Sequence, residues 1–137
     1  MLRVLKPGGT IAFSTWPPEL FVGRVFALTS SYLLPPPPGV AAPPLWGDPN
    51  IIRQRLGTGV KDILFDRARM TIPALSVQHQ RLAAEKSGGA VVRLIASLQN
   101  DPAKLEQFRK EYDVLASEYF EDNLVRQDFL ITRATKI

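Results

Sequence analysis

The chain contains no cysteine in its 137 residues, which excludes disulfides and thiolate metal sites. It has one histidine, His79, too few for a multi-histidine metal centre. No stretch reaches the roughly 18 uninterrupted apolar residues of a membrane-spanning helix. The first residues, Met-Leu-Arg-Val-Leu-Lys-Pro-Gly-Gly, meet a turn before an apolar leader segment could form, so a cytoplasmic protein is expected. The signatures of catalysis are absent as well: there is no GxSxG, P-loop, HExxH or paired metal carboxylates. No G-x-G-x-x-G precedes an acidic residue about 20 positions on, so nothing here cradles a nucleotide.

What is present fits one domain, residues 1–137. Apolar residues make up 45% of the chain and mean hydropathy is near zero at −0.02, enough for a core and unlike a disordered segment. Seventeen basic residues against thirteen acidic give +4. A basic balance raises nucleic acid as a partner. Here Asp62, Asp66, Glu106, Glu111 and Glu118 break up the arginines, and no zinc-finger or RNA-binding pattern accompanies them. Nucleic acid is therefore not the expected partner, nor is a membrane.

Prolines and glycines punctuate the rest. Met1 to Leu5 read as the end of a helix whose beginning is absent. Lys6-Pro7-Gly8-Gly9 is a turn in which one glycine is expected at φ > 0. Thr10 to Trp16 reads as a short buried strand closed by Pro17-Pro18. From Glu19, apolar residues recur at helical spacing through Leu33. Residues 35–47 hold six prolines and two glycines, a stiff, partly polyproline-II stretch. It reads either as a PxxP ligand or, preferably, as an internal loop, because apolar elements flank it closely.

Asp48-Pro49 pairs an N-cap residue with proline at the first helical position, and Gly57 ends that helix. Val60 to Ile72 alternates as a long strand ending at Pro73. Ser76 caps a helix to about Lys86. Gly88-Gly89 separates it from another at Ala90 to Leu98, and Asp101-Pro102 opens a third carrying Leu105, Phe108, Tyr112, Leu115, Ala116 and Tyr119 on one stripe. That stripe is read as a core-facing surface. Leu124 to Thr135, with Phe129-Leu130-Ile131, is the final strand. His79, between two glutamines, is read as a surface or boundary residue.

Arg3-Val4-Leu5-Lys6-Pro7-Gly8-Gly9 followed by Thr10-Ile11-Ala12-Phe13 resembles the turn between the fourth helix and fifth strand of class I S-adenosylmethionine-dependent methyltransferases. Thr15-Trp16-Pro17-Pro18-Glu19, Phe21, Gly23, the Pro35–Gly39 run and Leu45-Trp46-Gly47 are similar, in that order, to one subfamily acting on small molecules. The resemblance covers the whole chain. It implies an α/β fold: the C-terminal, substrate-side part of a Rossmann-like methyltransferase, with a three-stranded mixed sheet (strands 5, 7 and 6) and inserted helices.

The last strand would lie between the other two, antiparallel to both. The family's glycine-rich loop and following acidic residue precede anything present here, so the chain alone is expected neither to bind S-adenosylmethionine nor to be active. Ligands sit outside strand carboxyl ends in open α/β sheets. On that rule the resemblance marks Thr15 and Trp16, with Glu19 and Arg24, as substrate-binding candidates; Trp16 reads equally as core. No catalytic residue and no metal ligand is assigned. With strand 4 absent, Thr10–Trp16 would be an unguarded edge, so a homo-oligomer is expected. The alternative reading is a stand-alone dimeric binding module with a methyltransferase-derived fold.

Overall fold

The computed structural model describes residues 1–35, 37, 39–40 and 42–137. It is a mixed α/β domain built on an open antiparallel sheet of four strands. In chain order the elements are β1 (Thr10–Thr15), α1 (Phe21–Ser31), α2 (Pro49–Leu56), β2 (Val60–Pro73), α3 (Val77–Ser87), α4 (Gly89–Ser97), α5 (Pro102–Ser117), β3 (Phe120–Glu121) and β4 (Leu124–Lys136). The sheet order is β1-β4-β2, with β3 pairing on β4. Every ladder is antiparallel.

Local chemistry sets most boundaries. Asp48, Ser76 and Asp101 each accept a backbone N–H in the first turn of α2, α3 and α5, from Asn50, His79 and Lys104 respectively, as N-caps do. Gly57 ends α2 at φ 55°. Gly8 takes φ 78°, and the turn is sewn to the end of β4 by Gly8 N–H to the Lys136 carbonyl and Lys136 N–H to the Gly9 carbonyl, both 2.9 Å.

Several expectations are corrected. The sheet has four strands, not three; β4 lies between β1 and β2 and runs antiparallel to both, as expected of the last strand. The added strand, β3, reverses into β4 through Asp122 and Asn123 at φ 48° and 60°. Both residues tolerate the left-handed region, and two such residues make the tight turn that matches strand twist. Residues 2–4 form a single 3-10 turn rather than the end of an α-helix. The proline stretch contains a second one, Pro43–Gly47. The polyproline-II expectation falls partly on Pro36 and Pro38, which lie outside the described residues.

Alternation along β4 serves two cores. Leu130 and Ala134 join Ile11, Ile52, Leu56 and Val60 under α2. Val125, of opposite parity, joins Phe21, Val91, Leu94, Phe108 and Tyr112 under α1, α3, α4 and α5. Between the cores, two glycines pinch the segment leaving β1. A Cβ on Gly23 would lie 2.2 Å from the Pro17 carbonyl oxygen, and one on Gly47 would lie 2.2 Å from that of Trp16. No side chain fits at either contact, so α1 and the Pro43–Gly47 turn grip residues 16–18 from two sides.

Candidate functional site

The grip fixes Trp16 at the carboxyl end of β1, on the wall of a cavity of about 360 Å³. Phe21, Val25 and Phe26 of α1 form a second wall, Ala83, Ala84 and Gly88 at the α3–α4 junction a third, and Ile72 with Gln127 the sheet side. Trp16 packs edge-on against Phe129, with ring centroids 6.0 Å apart. No charged residue lines the cavity among the described residues.

Its polar groups are few. Gln80 and Gln127 are 9% and 8% exposed. The Tyr112 hydroxyl donates to Gln80 Oε1 at 2.8 Å, which leaves the Gln80 amide N–H₂ as a donor. Burial pushes the Tyr112 phenol up to about 12, so it stays protonated and serves as a donor. Gln127 makes no side-chain hydrogen bond among the described residues. His79, exposed at the rim, accepts the Leu75 N–H on Nδ1 at 3.0 Å. In the neutral ring that places the proton on Nε2, which can donate a hydrogen bond.

Below the cavity, α3 is tied to α5 by a half-buried ion network. Glu85 accepts from Arg81 Nη1 at 2.7 Å and from Arg109 Nε and Nη2 at 2.9 and 2.8 Å. Arg81 Nε also donates to Asp113, at 2.8 Å. The hydrogen bond from Arg109, with Arg81 adding to it and burial opposing, holds the Glu85 carboxyl below the usual carboxylate range. The network positions α3, and with it Gln80 and the wall residues.

Of the four residues expected to touch substrate, the structure brings only Trp16 to the cavity. Thr15 pairs with Leu130 and so points to the opposite face of the sheet, where its Oγ1 is buried without a partner among the described residues. Glu19 accepts from Arg67 at 2.9 Å, both side chains more than half exposed, a pair worth little. Arg24 forks onto both carboxylate oxygens of Glu118 and lies 5.8 Å from the Tyr119 ring centre. That fork holds the Glu118 carboxyl below its ordinary value and commits Arg24 to α5. The sequence does not single out Gln80 or Gln127, because a lone glutamine carries no motif, and it presents Tyr112 only as part of a core-facing stripe.

No family model matches the chain. It is 26% identical over 141 aligned residues to an uncharacterized protein of Mycobacterium bovis and to uncharacterized proteins of two strains of Mycobacterium tuberculosis. The alignments cover 99% of this chain and 50% of each relative. The chain thus spans about half the length of the curated relatives it matches. Among the described residues no helix is long and apolar enough to cross a membrane, and no cluster of histidine and carboxylate side chains could hold a metal ion.

Proposed function

We propose that this chain is the C-terminal, substrate-side part of a Rossmann-like S-adenosylmethionine-dependent methyltransferase acting on a small molecule, with β1, β4 and β2 corresponding to strands 5, 7 and 6. The observation that carries the reading is the cavity beside Trp16, outside the carboxyl end of β1, where an open α/β sheet places its ligand. The methyltransferase-like Arg3–Gly9 turn leads directly into that strand. Methyl transfer asks a protein chiefly for in-line positioning of donor and acceptor. On this reading Trp16, α1 and the α3–α4 junction orient the acceptor. S-adenosylmethionine would be held by a glycine-rich loop and an acidic residue outside this chain.

Two measurements test the proposal. The 137-residue chain titrated with S-adenosylmethionine in a calorimeter should show no dissociation constant tighter than about 10 µM, roughly −7 kcal/mol. Sequencing upstream of the Met1 codon should reveal an in-frame strand, glycine-rich loop and helix, and the extended product should bind the cofactor. An upstream frame lacking that loop would defeat the proposal.

The unguarded edge of β1 favours a second reading, a self-associating binding module. Among the described residues Thr10–Thr15 pairs only with β4, and the strand carries no charged residue or proline to guard its free edge. The other sheet edge differs. On β2, Lys61, Asp66, Arg67 and Arg69 are exposed, and the register shifts between Lys61 and Leu64, around Asp62 at φ 54°, a bulge of the kind that blunts an edge. Sedimentation equilibrium at micromolar concentration separates the cases. A dimer abolished by Ala12→Pro would support association through β1, and a well-folded monomer would exclude it.

A further inference from the structure

The polar groups of the cavity limit what it can hold. Gln127, only 8% exposed, presents an amide donor and an amide acceptor that nothing among the described residues engages. Its amide atoms are not sealed from solvent, so they are open to a ligand in the cavity. Gln80 adds a free N–H₂, because its carbonyl is taken by Tyr112. The remaining surface comes mainly from aromatic, aliphatic and small side chains, with no lysine, arginine or carboxylate among the described residues. An ionised ligand would lose its hydration there and find no counter-charge. At about 360 Å³ the space lies at the small end of ligand pockets, which run from roughly 300 to 1,000 Å³.

From these features we infer that the cavity takes an uncharged, largely apolar molecule about the size of two fused rings, bearing one hydroxyl. Gln127 and Gln80 hold that single polar group at the buried end. Trp16 and Phe21 flank the ring system, and His79 Nε2 stands at the rim as a second donor for a longer ligand. The inference rests on reading this cavity as the acceptor site, and it names the acceptor's class: a neutral phenol or alcohol rather than an amino acid, an organic acid or an amine.

The test uses the full 137-residue chain, labelled with ¹⁵N, and three probes of one shape: 2-naphthol, 2-naphthoate and 2-naphthylmethylammonium at neutral pH. 2-Naphthol should shift the Trp16 indole N–H and the side-chain amides of Gln80 and Gln127, and should bind at least tenfold more tightly than either charged probe. Naphthalene, which lacks the polar group, should bind more weakly than 2-naphthol, and Gln127→Leu should erase that difference. Three results would overturn the inference: no shift at these groups, a shift confined to other surfaces, or a charged probe binding within tenfold of 2-naphthol. The wild-type comparison decides the matter even if Gln127→Leu fails to fold. No cofactor enters the titration, so a negative result rejects the ligand class and leaves the methyltransferase reading to the upstream frame.

Discussion

Under α1, α3, α4 and α5, Phe21, Leu94, Phe108 and Tyr112 pack around an open cavity and two buried glutamines. Under α2, Ile11, Ile52, Leu56 and Leu130 pack with Phe13 and Trp46, whose rings meet edge-on at 5.8 Å. There the arginines act as lids: Arg55 lies 4.6 Å from the Trp46 ring centre and Arg53 4.7 Å from that of Phe65, so even the charged side chains add apolar cover. The first region gives up packing density for space and polar groups. The second supports β1 from behind. One strand, β4, serves both, and residues 16–18 are clamped where they meet.

The largest expected effect comes from breaking the clamp. Gly47→Ala or Gly23→Ala drives a Cβ into the backbone of residues 16–18 and should cost about 4 kcal/mol or more, read as a drop in the urea midpoint. In any folded remainder, the Trp16 indole resonance should move.

Next come deletions inside each core. Leu94 and Ile52 are both 0% exposed, and truncation of either to alanine should cost about 2–5 kcal/mol. Because β4 joins the cores, both variants should shift one common transition. If Ile52→Ala instead splits unfolding into two steps, the cores are independent and the clamp does not couple them.

A smaller effect separates the regions by pH. The Glu85 carboxyl, lowered chiefly by Arg109, stabilises the fold while ionised. That contribution is complete above the ordinary value of 4.5 and is lost as pH falls through the lowered folded-state value. Wild-type stability should therefore decline on acidification below about pH 4.5, and Glu85→Gln should flatten that acid limb. An identical acid limb in Glu85→Gln would show that the network does not hold α3. Smallest is Gly8→Val, which forces a β-branched residue to φ 78° in open space. It should cost about 1–2 kcal/mol, and an unchanged melting temperature would contradict the turn geometry.

Much of the fold was legible because it is written in local chemistry. Asp48-Pro49, Ser76 and Asp101-Pro102 announce helix starts through hydrogen bonds that span only two or three residues. The alternation of Val60–Ile72 and the run at Phe129–Ile131 announce strands. The β3 turn was not legible, since Asp122-Asn123 lacks the glycine that usually marks a two-residue hairpin. Of the residues lining the cavity, Trp16 is the one the sequence singles out, because it ends a strand. Thr15 lies off the cavity because alternation along a strand sends neighbouring side chains to opposite faces. Glu19 and Arg24 already have partners, Arg67 and Glu118, that lie far along the chain. Gln80, Tyr112 and Gln127 meet only after α3, α5 and β4 have packed, and no spacing rule connects them.

The central place of β4 also bears on how the molecule comes to exist. A ribosome makes β1 and β2 before β4, and neither pairs with the other, so no ladder of the sheet can close until more than a hundred residues after Thr10 have been made. Contacts so distant in sequence slow folding, and among the described residues the uncharged β1 strand has no earlier partner than β4. Among the described residues, the strand that waits longest for its partner is the one whose end leads to Trp16.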